Sequence, residues 1–158
     1  MNAFADFYSR QKRTFLSYLV RRSGDYHLAC DVMQESFARL FQKYRPESFT
    51  PQLLYTIGRN LVLDSIRRRN RDAGLAETRI EATDLLERDL MVRDEYRRVL
   101  AAMRRLEPDE RDLLSLAVSG GLRYRDMARI TGTSEANVKV KIHRARKKLK
   151  DILAAEDA

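Results

Sequence analysis

The stretch Leu122–Leu149, LRYRDMARITGTSEANVKVKIHRARKKL, decides how the chain is read. It gives two helices with a tight turn between them. Tyr124, Met127, Ala128 and Ile130 make a short amphipathic helix. Gly132 offers the left-handed position that ends it. Ser134 can cap the next helix through its side-chain oxygen. Val138, Ile142, Ala145 and Leu149 then recur three or four apart, the buried stripe of that second helix. Its other faces carry Lys139, Lys141, Arg144, Arg146, Lys147 and Lys148. A short helix, a glycine turn and a basic second helix form the pattern of a DNA-binding helix-turn-helix. A basic run is most often only a solvated face. Here it coincides with a turn signature and a capped helix start, which points to DNA.

The totals agree with a polyanionic partner. The 158 residues hold 31 Lys and Arg against 23 Asp and Glu, a net charge of +8. That balance favours nucleic acid or an anionic membrane. A membrane-surface role needs a strong apolar face opposite the basic one, and here the apolar stripes are already required for two small cores. No apolar run approaches the ~20 residues of a membrane span, and the N-terminus MNAFADFYSR has no signal pattern. The single Cys30 rules out an intramolecular disulfide and fits a reducing, cytoplasmic setting. Two histidines and one cysteine, far apart, give no zinc cluster. There is no Gly-rich phosphate loop and no nucleophile–base pair, so neither an enzyme nor a metal or cofactor is expected.

Charge is also unevenly distributed. Residues 1–71 carry 13 basic and 6 acidic side chains, net +7; residues 72–94 carry 3 and 7, net −4; residues 95–158 carry 15 and 10, net +5. Two basic blocks flank an acidic segment, which reads as two modules on a flexible linker.

Taken in order, the first helix is expected over 3–22, with Phe4, Phe7, Tyr8, Phe15, Tyr18 and Leu19 along one face and Gly24 ending it. Asp25 can cap a second helix carrying Ala29, Val32, Met33, Phe37, Leu40 and Phe41. The loop KYRPESFT, 43–50, is broken by Pro46. Thr50 before Pro51 is a strong helix start, a capping hydroxyl followed by proline at the first helical position. Leu54, Ile57, Leu61 and either Asp64 or Ser65 are expected on the inner side of this third helix, which runs out in Arg67, Arg68, Arg69 and Arg71. A fourth helix spans 95–106. A fifth begins at Pro108, carries Leu113, Leu114, Ala117 and Val118, and stops at Gly120-Gly121. No strand pattern survives. The fold class is all-α: two small helical domains, the C-terminal one with the helix-turn-helix.

Two separate blocks resemble one family. Asp31-Val32-Met33-Gln34-Glu35-Ser36-Phe37 is similar to the Asp-x-x-Gln-Glu-x-Phe segment of bacterial RNA polymerase sigma factors of the extracytoplasmic-function group. Leu54-Tyr55-Thr56-Ile57-Gly58-Arg59-Asn60 resembles that group's Leu-(Tyr/Phe)-x-Ile-Ala-Arg-Asn, with Leu53 where a Trp usually stands and Gly58 for the Ala. In the C-terminal block, Tyr124-Arg125-Asp126-Met127-Ala128, Ser134-Glu135-Ala136-Asn137-Val138-Lys139 and His143-Arg144-Ala145-Arg146 are similar to the group's helix-turn-helix, with Asn137 for the usual Thr and Arg123 for a common Ser. Either block alone is moderately specific; both in this order are much more so.

The resemblance implies sigma region 2 at 1–71, a linker at 72–94 and sigma region 4 at 95–158. It implies core RNA polymerase (β′ clamp helices and β subunit), promoter DNA and an anti-sigma factor as partners. Asp31, Gln34 and Glu35 would form the polymerase-docking face. Lys43, Tyr44, Arg45, Phe49, Arg59 and Asn60 would serve the −10 promoter element, with Arg67, Arg68 and Arg69 suited to phosphates. The loop aromatics can wall a pocket for a flipped base, although Phe49 can equally pack on the core, and Asn60 can equally make a helix-to-loop hydrogen bond. On the −35 side, the start of the last helix lies in the major groove, which nominates Ser134, Glu135, Asn137, Lys139, Lys141 and Arg144, with Arg123 and Arg125 on phosphates. The competing reading is a self-sufficient helix-turn-helix regulator with a helical N-terminal dimerisation or sensor domain.

Overall fold

Asn2 starts the first helix: its Oδ1 accepts from the backbone N–H of Phe4 at 2.8 Å and of Ala5 at 3.3 Å. Helix α1 spans Ala3–Ser23 and ends at Gly24, whose φ of +73° is the left-handed value expected there. The computed structural model describes residues 2–73, 94–119 and 121–157. The expected linker therefore lies outside the described residues, apart from its ends. So does Gly120 of the expected Gly-Gly stop.

Local capping chemistry sets the remaining starts. Asp25 Oδ1 accepts from Leu28 N–H at 3.0 Å and begins α2, Tyr26–Lys43. A single 3-10 turn, Pro46–Ser48, sits in the loop that follows. Thr50 Oγ1 accepts from Leu53 N–H at 3.2 Å and begins α3, Pro51–Ala73, so the helix continues through the whole arginine run. In the C-terminal half come α4 (Asp94–Met103), α5 (Pro108–Ala117), α6 (Tyr124–Thr131) and α7 (Glu135–Asp157). The described residues hold seven helices and no strand.

Helices α1–α3 close around Phe15, Tyr18, Leu19, Leu40, Leu54, Tyr55 and Val62, all at most 2% exposed. The ring of Phe15 meets Phe37 and Tyr55 edge-on, with centroids 5.8 and 5.1 Å away. Burying side chains of this size contributes about 1.5–3 kcal/mol each before entropy is counted. In the other half α5, α6 and α7 bury Leu113, Leu116, Met127, Ile130, Val138 and Ile142. Met103 and Leu106 pack with Leu114 and Ala145 in a second, smaller cluster.

The inner face of α3 differs from its expected stripe. Leu54, Tyr55, Gly58 and Val62 are buried, while Ile57 and Leu61 are half-buried. Gly58 explains the rotation. A Cβ there would lie 2.5 Å from Phe15 Cζ, so the missing side chain is what admits the Phe15 ring. Ser65 is half-buried and Asp64 exposed, which settles the alternative left open at that turn. On α5 the expected inward Val118 is 59% exposed, because the helix has ended at Ala117; Leu116, fully buried, takes its place.

The two halves share one core rather than standing apart. Helix α1 packs on α5, and α3 packs on α6. Tyr18 Oη donates to Asp112 Oδ1 at 3.0 Å. Arg21 Nη2 donates to Ser115 O and Ser119 Oγ, each at 3.0 Å, and Arg104 Nη2 to Gly24 O at 3.1 Å.

Candidate nucleic-acid interface

Three surfaces carry the residues nominated from sequence. The first is the outer side of α2. Val32, Ser36, Phe37 and Leu40 turn inward, which leaves Asp31, Gln34 and Glu35 exposed on the opposite side. Glu35 accepts from Arg39 Nε at 2.9 Å, an i,i+4 pair that orders the carboxylate without covering it. The result is a small polar patch rich in acceptors.

The second surface runs from the 43–50 loop along α3. Lys43, Tyr44 and Arg45 are exposed, Tyr44 at 40% despite its ring. Phe49 is half-buried and packs on Phe4 and Phe7, with centroids 6.0 and 5.8 Å away, so its ring belongs to the edge of the core. Asn60 is exposed and lines a groove with Arg39, Leu61, Leu63, Asp64 and Arg67. Arg67 and Arg68 are exposed, Arg68 lying 3.8 Å from Asp64. Arg69 instead donates to Asp25 Oδ2 at 3.0 Å and ties the end of α3 to the capping residue of α2. Arg59 is held differently again: its Nε donates to Asp112 Oδ2 at 2.5 Å.

The third surface is the helix-turn-helix. Gly132 has a φ of +73° and closes α6 through its N–H to Ala128 O at 2.8 Å. Ser134 Oγ accepts from Asn137 N–H at 3.1 Å, the cap read from the sequence. Arg123 precedes α6; its N–H donates to Asp126 Oδ2 at 2.9 Å, and its side chain is exposed, as is that of Arg125. Along α7, Glu135, Lys139 and Arg144 are exposed. Asn137 and Lys141 are half-buried: Asn137 Nδ2 donates to Thr133 Oγ1 at 2.7 Å, and Lys141 Nζ to Asp109 Oδ2 at 2.9 Å. That lysine holds the Asp109 carboxyl below its ordinary range, first by the hydrogen bond. Arg59, Asp112, Asn137 and Lys141 all line one cavity of about 250 Å³ between the two halves.

Sequence reasoning missed two side chains. Val140 is 46% exposed on the outer face of α7, beside the exposed Lys139 and one turn from His143. An apolar group there is suited to the methyl group of thymine. Its signal was an apolar residue off the Val138, Ile142, Ala145 stripe. The second is Asp112, 2% exposed, which has no signal in its own helix because its partners are far away in sequence.

Among the described residues no helix is long and apolar enough to cross a membrane, and no group of three or more His, Cys, Asp or Glu side chains could hold a metal ion.

Comparison with known proteins agrees with the two-part architecture. Residues 7–72 match the family described as Sigma-70 region 2, and residues 96–149 the one described as Sigma-70, region 4. The chain is 30% identical over 145 residues to the ECF RNA polymerase sigma factor EcfG of Rhodopseudomonas palustris, covering 90% of this chain and 80% of that one. It is 35% identical over 142 residues to the ECF sigma factor SigE of Mycolicibacterium smegmatis, covering 85% of this chain and 55% of the relative. Among solved structures, the fold resembles the sigma factor RpoE in complex with the anti-sigma factor NepR from Bartonella quintana, with a TM-score of 0.72 at 20% identity, covering 94% of this chain and 97% of that one. It also resembles CnrH in complex with the cytosolic domain of CnrY, with a TM-score of 0.68 at 20% identity, covering 96% and 88%.

Proposed function

The chain belongs to the ECF RNA polymerase sigma factors, and we propose that it does their work with the three surfaces just described. It is a sigma factor: it directs RNA polymerase to promoters. We place region 2 at 1–71, the linker at 72–94 and region 4 at 95–158. Asp31, Gln34 and Glu35 dock on the polymerase clamp, where exposed acceptors suit cationic partners. Lys43, Tyr44, Arg45, Asn60, Arg67 and Arg68 meet the −10 element, while Arg59 is held by Asp112. Tyr44 is the loop aromatic for stacking, since Phe49 supports the loop from behind. Arg69 positions the end of α3. On the −35 side, Glu135, Lys139 and Arg144 face the groove, and Arg123 and Arg125 hold phosphates. Asn137 and Ser134 shape the turn that presents them, and Lys141 is held by Asp109. The factor acts as a regulatory subunit in the cytoplasm, with no catalytic group of its own. An anti-sigma factor is included among its partners because one similar structure is a sigma factor in complex with an anti-sigma factor.

The observation that carries this reading is one chain holding both regions in order, the first with an exposed acceptor patch and the second with a capped, basic helix-turn-helix. Run-off transcription with core polymerase on a pool of promoter fragments tests it. Start-specific transcripts that need the protein and are lost in Gln34→Ala/Glu35→Ala are expected. Transcripts that persist in that variant would move the docking face elsewhere. No transcripts, with tight binding of the protein alone to duplex DNA, would overturn the reading in favour of the self-sufficient regulator.

A further inference from the structure

Three arginines meet where the end of α1 packs beside α4 and α5, with little to neutralise them. Arg22 is 5% exposed, and its Nε is buried without a hydrogen-bond partner. The carboxylate it faces, Asp112 at 3.4 Å, already accepts from Tyr18 and Arg59. Arg111, the residue before Asp112 on α5, is half-buried, and its Nε is likewise enclosed without a partner. Arg104, the first residue after α4, is exposed and lies across Gly24. Its Nη2 donates to Gly24 O at 3.1 Å, and a Cβ at position 24 would stand 3.1 Å from its Nε. Gly24 follows Arg22 by two residues, so the guanidiniums converge on one junction. We propose that this junction binds a small phosphate anion, inorganic phosphate or a diphosphate group, through Arg22, Arg104 and Arg111.

Charge selects the ligand class. Three cations against one carboxylate, itself shared with Arg59, leave at least two positive charges uncompensated. Buried charges normally come with partners, and an unmatched guanidinium there is costly. Arg111 registers the excess: burial, followed by the charges of Arg22 and Arg104, pushes it down to about 10. A carboxylate ligand would bring one negative charge. A phosphate brings up to about two and three strong acceptor oxygens, and it accepts paired N–H bonds from the planar guanidinium fork.

Access selects its size. Arg104 is exposed, Arg111 half-buried and Arg22 buried, so the cluster grades from solvent inward. A free anion can pass Arg104 and settle among all three. The backbone of a duplex cannot reach a guanidinium that is 5% exposed. The cluster also differs from the arginines of α3, where Arg67 and Arg68 stand open to solvent and suit DNA phosphates.

The test is calorimetric titration of the full chain with inorganic pyrophosphate, paired with thermal unfolding in pyrophosphate and in sodium chloride of equal ionic strength. Wild type is expected to bind saturably and to gain about 3–6 °C in Tm at ten times the Kd. Arg111→Met, which removes an unmatched cation, is expected to melt no lower than wild type in chloride. It should bind pyrophosphate about ten- to a hundredfold more weakly, the loss of one charge-assisted hydrogen bond, and forfeit most of the gain in Tm. Should Arg111→Met lose helix by circular dichroism, Arg104→Met at the exposed edge decides, and is expected to weaken binding several-fold. Phosphate salts also stabilise proteins by exclusion from their surface, so an equal gain in wild type and in the folded variant would overturn the site. Absence of saturable binding to wild type would overturn it too, as would a variant destabilised in chloride that still binds normally. A mixed-sequence duplex supplies the last comparison. If Arg111→Met lost as much affinity for duplex as for pyrophosphate, the cluster would belong to the DNA backbone and the small-anion site would be overturned. Neither measurement involves polymerase or a promoter, so the anion site and the sigma-factor reading stand or fall separately.

Discussion

Adding one methyl group at position 58 sets two effects of opposite sign against each other. Gly58 lies inside α3, where replacing glycine by alanine normally stabilises a helix by about 1 kcal/mol. The structure puts the new Cβ 2.5 Å from Phe15 Cζ, 2.8 Å from Cε1 and 3.4 Å from Leu19 Cδ2. Phe15 is fully buried and held by Phe37 and Tyr55, so its ring cannot swing clear. Forcing extra volume into a packed core costs about 1–3 kcal/mol. The clash is expected to win, leaving Gly58→Ala less stable by about 1 kcal/mol, with a fall in Tm of roughly 2–4 °C for a chain of this size. Urea unfolding of four proteins, wild type, Gly58→Ala, Phe15→Leu and the double variant, measures it. With the ring gone, the methyl should become favourable, giving a coupling of about 0.5–3 kcal/mol between the sites. A Gly58→Ala chain that gains about 1 kcal/mol in the wild-type background would refute the reasoning. Propensity would then act alone, and Phe15 would not occupy that space. The group's usual Ala at this position makes the case sharper, because here the glycine follows from the ring beside it.

Other outcomes follow from single groups. Burial, and then the Asp112 carboxylate, raise the Tyr18 hydroxyl well above its ordinary value. A raised group stabilises fully below its unfolded value of about 10 and loses that contribution as pH climbs through the folded one. Phenolate absorbance should therefore show Tyr18 among the last of the seven tyrosines to ionise, with one late step missing in Tyr18→Phe and the alkaline fall in stability reduced. Val140→Ser should weaken binding to a −35 duplex that carries thymine yet leave affinity for the deoxyuridine duplex, which lacks the methyl, nearly unchanged; equal losses on both would remove Val140 from base reading. Arg67→Ala should weaken promoter binding across sequences and lower the slope of log affinity against log salt by about 0.9, the value for one phosphate. The side chain of Asp109 is 71% exposed, so its bond to Lys141 is worth no more than about 1 kcal/mol at neutral pH. Because its folded value is lowered, that contribution is present above about 4 and disappears as pH falls through the folded value. Asp109→Asn should remove this part of the acid limb.

Features carried by neighbouring residues were legible in the sequence. Thr50-Pro51, Asp25, Gly24, Gly132 and Ser134 act through hydrogen bonds to groups a few residues away, and each sets a helix end where its chemistry says it should. The helix-turn-helix stripe Val138, Ile142, Ala145 is buried as its spacing implies. The exposed set Asp31, Gln34, Glu35 was legible for the same reason, as the complement of an apolar stripe. The turn of α3 about its axis was not, because it depends on a ring contributed by another helix. Arg59 and Asp112 were not, because their pairing spans 53 residues of chain and that of Tyr18 with Asp112 spans 94. A polar residue on an amphipathic helix reads as solvated until something distant covers it.

These two illegible features are one structural device. Phe15, Tyr18 and Arg22 fall at i, i+3 and i+7 of α1, on a single face. The first fits into the space at Gly58, while the second and third reach Asp112. Arg59, the residue after Gly58, reaches the same carboxylate from α3. The depth to which α1 settles on α3 thus fixes how far apart the three groups on Asp112 stand. A methyl group at position 58 pushes the helices apart at the residue beside Arg59, so it should loosen the contacts on Asp112 as well as the core. Gly58→Ala is therefore expected to raise the radius of gyration of the folded chain, and Phe15→Leu in that background to restore it. A Gly58→Ala protein that loses stability yet stays as compact as wild type would separate the two effects, leaving Asp112 anchored independently of the helix spacing.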